Sequence, residues 1–111
     1  MDDTNIKVLG KGIITEDPKI FKFDYEKPTY KTSFFVKFKG YRDTVSSFLF
    51  EVWDSAAVYI VKNAKEGDII EFEAVPKNYV VQKNDEKIIK TKFRISTFKL
   101  NNEKNTNNKS V

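Results

Sequence analysis

Residues 48–74 read FLFEVWDSAAVYIVKNAKEGDIIEFEA, and several kinds of signal follow one another within them. Positions 48–53 form a short aromatic and β-branched run that predicts a strand. Positions 55–64 set Ala57, Ile60, Val61 and Ala64 at i, i+3, i+4 and i+7, which is one face of a short helix. Positions 65–68 supply a turn. From Ile69 the period of two resumes, with Ile70, Phe72 and Ala74 alternating against Glu71 and Glu73. Strand, short helix, turn and strand in that order can plug and continue a small barrel.

Composition narrows the possibilities further. A chain of 111 residues suffices for one domain with one core. Hydrophobic residues make up 40% and aromatics 14%, led by Phe (10) and Tyr (5), which favours a barrel or sandwich over a helical bundle. The chain has no Cys, so disulfides and thiolate metal sites are excluded, and no His, so the usual general base and the usual neutral metal ligand are missing. No cofactor or metal is expected. No apolar run approaches membrane-spanning length and Met1 opens directly onto Asp2 and Asp3, so neither a transmembrane segment nor a signal peptide is expected. The formal charge of +4, from 20 Lys plus Arg against 16 acids, is compatible with a polyanionic partner without requiring one.

Residues 2–4 read as frayed. Residues 5–14 alternate loosely through Ile6, Val8, Gly10 and Gly12, the two glycines allowing the bend of a first barrel strand. Asp17 and Pro18 end its pairing. Residues 20–25 alternate again, with Phe21, Phe23 and Tyr25 on one side. This segment reads as a strand extension or as a hairpin arm, and its aromatics as an oligomer contact or a ligand contact. Along residues 30–39 the period of two sends Phe34, Val36 and Phe38 to the core and Ser33, Phe35, Lys37 and Lys39 to the other face. An aromatic beside two amines lets a base stack while its phosphate is neutralised; the alternative is a solvated face with one stray Phe. In residues 46–53 the same parity places Phe48, Phe50 and Val52 inside and Ser47, Leu49, Glu51 and Trp53 outside. An outward Trp needs cover, from a subunit, the end of the following helix or a stacked base.

Residues 68–81 form a long strand with Ile70, Phe72, Ala74 and Pro76 inward and Val75, Lys77, Tyr79 and Val81 outward. Pro76 calls for an edge or a bulge, with a shift of alternation beyond it. Asn84 and Asp85 centre a hairpin loop. In the last strand, residues 88–100, Ile89, Thr91, Phe93 and Ile95 point inward and Lys90, Lys92 and Arg94 outward as a basic stripe. Residues 101–111 are polar and Asn-rich, a disordered tail. The expected architecture is therefore all-β, a five-stranded barrel of the oligonucleotide/oligosaccharide-binding (OB) fold over residues 1–100 with one short helix between strands 3 and 4. In that fold Phe35, Lys37, Lys39, Trp53, Lys77, Tyr79, Lys90, Lys92 and Arg94 line one groove, which points to single-stranded nucleic acid.

Over about residues 5–100 the chain resembles the DNA-binding domain of bacterial-type single-stranded DNA-binding proteins (SSB). Gly12, Ile14, Asp17 and Pro18 match the family's G-x-[ILV]-x-x-D-P, Phe34 and Val36 its second strand, and Val52, Trp53 and Ala57 the end of its third strand and start of its helix. Gly67, Asp68, Ile70, Phe72 and Ala74 follow its K-G-D-x-[IV]-x-[IV]-x-[GA] segment. The resemblance implies sequence-tolerant binding of single-stranded DNA by stacking and phosphate contacts, as a homo-oligomer (dimer or tetramer), with Trp53 at a base-stacking position. Ser47, Asp54 and Phe21 replace a common aromatic, a common Gly and a frequently basic residue. The tail, ending Lys109, Ser110 and Val111, lacks the acidic tip through which bacterial SSB recruits partners. A compact relative fits, cytoplasmic in a bacterium, phage or mobile element, or stromal and organelle-encoded, or one similar to the primosomal protein PriB.

The expected function is non-catalytic single-stranded DNA binding in DNA replication, recombination or transfer, with RNA as a further substrate class. The alternative is an OB-fold protein-interaction module, PriB-like or a replication accessory subunit, whose aromatic face is buried against a partner. Enzymatic activity is not expected: Glu71 and Glu73 read as solvated surface, and no nucleophile–base pair or Gly-rich phosphate loop is present.

Overall fold

The computed structural model describes residues 5–101. The elements are β1 (Val8–Ile14), β2 (Ile20–Asp24), β3 (Pro28–Lys39), a single 3-10 turn (Tyr41–Asp43), β4 (Val45–Trp53), α1 (Asp54–Asn63), β5 (Ile69–Lys83) and β6 (Glu86–Asn101). The expected frayed start lies outside the described residues, as does the expected tail except for Asn101, which still closes β6.

The fold is all-β with one short helix, and its sheet closes on itself. The hydrogen-bonded order is β1-β5-β6-β4-β3-β2, and β1 also pairs with β3. Thus β1, β3, β4, β5 and β6 form a ring. All contacts in it are antiparallel except β4 with β6, which run parallel at Phe50↔Phe93 and Glu51↔Arg94. The expected count of five strands is corrected to six. Residues 20–24 pair with β3 from Ile20↔Thr32 to Asp24↔Pro28, because the chain turns back immediately after Asp24 and Pro28 reopens the extended backbone. The strand so formed is an edge, bonded on one side only.

The interior follows much of the alternation read from the sequence, but Ile89 and Thr91, expected inward on β6, are exposed because that part of the β5–β6 hairpin runs beyond the stretches paired with β1 and β4. Ile14, Phe34, Val36, Phe50, Val52, Ile70 and Ala74 are buried, and α1 adds Ala57, Ile60 and Ala64 from one face. Each large apolar side chain taken out of water contributes roughly 1.5–3 kcal/mol, so this face sets the register of the ring strands. The end of the ring away from α1 is not closed by any of the described residues. There Phe38, Phe48, Phe50, Phe72 and Phe93 surround an apolar mouth, and Phe48, expected in the core, is 45% exposed. Gly12 permits this packing, since a Cβ there would lie 2.6 Å from both Val36 and Phe38.

The turns explain several motif residues. Asp17 accepts a hydrogen bond from the Glu66 N–H (2.8 Å), and the Gly67 N–H donates to the Ile14 carbonyl (2.8 Å), so the loops after β1 and after α1 are tied together. Gly67 takes φ 94°, a left-handed conformation that suits glycine. Asn84 and Asp85 take φ 49° and 66° between the paired Lys83 and Glu86, a two-residue hairpin turn of the primed type. The register irregularity of β5 and β6 falls at Glu73/Ala74, where Ser96 is extra on β6, and not at Pro76. Pairing of β5 with β1 ends at Ala74, so Pro76 sits where β5 has a free edge and its missing N–H costs no ladder bond.

Candidate nucleic-acid interface

Side chains opposite one another in register share a face of the sheet. On the outer face the register runs Phe21↔Lys31↔Trp53 from β2 through β3 to β4, Ser33↔Glu51↔Arg94 from β3 through β4 to β6, and Lys92↔Lys77 and Lys90↔Tyr79 from β6 to β5. Phe35 and Lys37 continue it along β3 opposite Leu49 and Ser47, and Lys39 lies opposite Val45. All nine residues singled out from the sequence therefore project from one outer face, though they fall into distinct environments.

The centre of this face is a closed network. Glu51, read as an outward residue of β4, does face outward, yet it is fully buried beneath its neighbours. Arg94 Nε donates to its Oε2 at 2.7 Å, Lys92 Nζ lies 2.9 Å from Oε1, and Lys31 Nζ lies 3.5 Å from Oε1. The Trp53 indole N–H is buried beside the same carboxylate, close enough to stabilise its charge but short of a full hydrogen bond. Burial alone pushes the Glu51 carboxyl up; the donors Lys92, Arg94 and Trp53 outweigh it and bring the pKa from 4.5 down to about 2. Three cations against one carboxylate leave the network with excess positive charge.

Two of these cations clasp the indole. Lys31 Nζ lies 5.3 Å and Arg94 Cζ 5.5 Å from the Trp53 ring centre. Phe23 stacks beside it at 6.0 Å and 27°, and Tyr25 stacks on Phe23 at 5.8 Å and 8°. The cover that an outward Trp requires thus comes from within the chain, and an aromatic column runs from Trp53 onto the edge strand, where Phe21 is also exposed.

The rim is open. Phe35 is 44% exposed, and Lys37, Lys77 and Lys90 are exposed with no ion pair among the described residues. Lys39 is held by Asp43 at 3.2 Å, with both groups in solvent. Tyr79 is half-buried and lies under Lys92, whose Nζ is 5.3 Å from its ring. Sequence reasoning missed Lys31 and the role of Glu51, and left Phe23 and Tyr25 between two readings. Lys31 has the same parity as Ser33, Phe35 and Lys37, so extending that alternation by one step finds it. Nothing local marks Glu51, because its partners come from β3 and β6.

No protein-family model matches the chain, and a search of the curated proteins returned no match. Among the described residues no helix is long and apolar enough to cross a membrane.

Proposed function

We propose that the chain is a non-catalytic single-stranded DNA-binding protein built on a five-stranded OB-fold barrel, with β2 as an appended edge strand. The ring order, the parallel β4–β6 contact and the helix between β4 and β5 support the barrel assignment. The observation that carries the function is one continuous outer face on which Tyr25, Phe23, Trp53, Phe35 and Tyr79 alternate with Lys31, Lys37, Lys77, Lys90, Lys92 and Arg94. Aromatic rings accept any base by its π-face, and the exposed amines Lys37, Lys77 and Lys90 beside them follow the phosphates, so binding is tolerant of sequence and extends to RNA. A role in DNA replication, recombination or transfer follows from that tolerance. Affinity for oligo-dT of the wild type and Trp53→Ala, measured at two salt concentrations, tests the reading. Stacking worth about 1–3 kcal/mol per base predicts weakening by roughly fivefold to a hundredfold, and unchanged affinity removes Trp53 from the site.

One observation favours a second reading, a homo-oligomeric or partner-binding OB module. On and beside the edge strand Phe21 and Tyr25, of one parity, are 53% and 66% exposed, apolar surface that a second copy would cover. Solution mass across a dilution series, with and without oligo-dT, separates an oligomer whose aromatic face remains open to DNA from one that hides it.

A further inference from the structure

A face that carries this many cations beside its aromatics faces a problem of selectivity. Duplex DNA presents a denser array of phosphates than a single strand, about one charge per 1.7 Å of axis, but its base faces are stacked away. A cationic surface alone prefers the duplex. Selection for a single strand requires that contacts to unstacked bases outweigh contacts to phosphate.

Glu51 stands where that balance is set. Its carboxylate is buried on the outer face at the middle of the cation cluster, 2.7–3.5 Å from Arg94, Lys92 and Lys31. Lys31 and Lys92 are only 22% and 20% exposed in their side chains, drawn down onto it and away from a passing backbone. The same anchoring holds Lys31 and Arg94 against the Trp53 ring and leaves Lys37, Lys77 and Lys90 on the rim free to meet phosphates.

We infer that Glu51 is a specificity-determining positioning residue: by holding Lys31 and Arg94 against Trp53 and Lys92 over Tyr79 it keeps the centre of the face from gripping a phosphate backbone, and so directs binding to unstacked bases and against duplex. This inference rests on the single-strand reading above. A phosphate reaching the centre has to displace a carboxylate that cannot leave, whereas a base meets aromatic rings and cations already held against them. Glu51 touches no nucleic acid itself and acts through its three partners.

The test is a salt titration of binding to oligo-dT and to a duplex of equal length, for the wild type and Glu51→Gln, which preserves shape and removes the charge. Each phosphate newly engaged steepens the log–log salt slope by about 0.9 on duplex and about 0.7 on a single strand. With up to three cations released, the Glu51→Gln duplex slope is expected to steepen by about 1–3, and the preference for oligo-dT at low salt to shrink by about tenfold or more. Unchanged slopes and an unchanged preference in a folded Glu51→Gln protein overturn the inference and leave Glu51 a purely structural group. If Glu51→Gln does not fold, Lys92→Gln in the native background decides instead: it should leave the slope nearly unchanged, whereas Lys37→Gln lowers it by about 0.7 on oligo-dT. Equal losses for the two lysines overturn the inference. A wild type that binds neither probe is a different outcome, which removes the function reading and this inference with it.

Discussion

The centre and the rim of the outer face use the same residue types for different ends. At the centre Lys31, Lys92 and Arg94 close over Glu51, and Lys31 and Arg94 clasp Trp53; at the rim Lys37, Lys77 and Lys90 stand in solvent and form no ion pair among the described residues. A cation is available to a ligand only where the fold has not already given it a counter-charge. Changes at the centre should therefore alter stability and specificity together, and changes at the rim should alter binding alone.

The largest expected effect comes from Glu51→Ala. Removing the buried carboxylate forfeits the pairing that lowers its pKa to about 2, which costs about 2–3 kcal/mol because the three cations left behind reach solvent. Urea denaturation should show a loss of that size, with no comparable loss for Lys37→Ala. Acid gives a second separation. The Glu51 pKa in the fold, about 2, is below its ordinary 4.5, so its contribution to stability is full above about pH 4.5 and disappears as pH falls through 2. Stability measured from pH 5 to pH 2 should fall by on the order of 2–3 kcal/mol more in the wild type than in Glu51→Gln, because other carboxylates titrate in both. A matching fall in the two proteins would mean that the carboxylate is not held as the geometry indicates.

Much of the fold was legible because it rests on local periodicity. Phe34 and Val36, Phe50 and Val52, and Ile70, Phe72 and Ala74 each repeat every second residue and each go inside. Ala57, Ile60 and Ala64 repeat at helical spacing and cover one end of the ring. What was not legible is what depends on distant partners. Glu51 alternates like a solvated residue and becomes buried only because Arg94, 43 positions away, and Lys31 and Lys92 arrive over it. Phe48 alternates like a core residue and is exposed because none of the described elements covers that end. The site was readable as a face, since parity carries a face, but its division into a locked centre and a free rim depends on the pairing of strands remote in sequence.

Smaller effects sharpen the same contrast. Lys77→Gln and Lys90→Gln should each reduce the oligo-dT salt slope by about 0.7 without changing the unfolding midpoint, as expected of cations that meet phosphates and nothing else. Asp54, next to Trp53 at the start of α1, has φ 57°, a left-handed conformation in which a Cβ is costly. Asp54→Gly should stabilise the protein by about 0.5–1 kcal/mol, seen as a raised thermal midpoint, while leaving the affinity for oligo-dT unchanged.

The most direct test of the central claim uses the chain's single Trp as its own reporter. Trp53 lies in the middle of the proposed face, so its fluorescence followed during addition of oligo-dT reads occupancy of that face. Saturable quenching by the single strand, weakened by salt, is the predicted result. Fluorescence that ignores oligo-dT but shifts when the protein is diluted would contradict it and assign the face to a second copy of the chain.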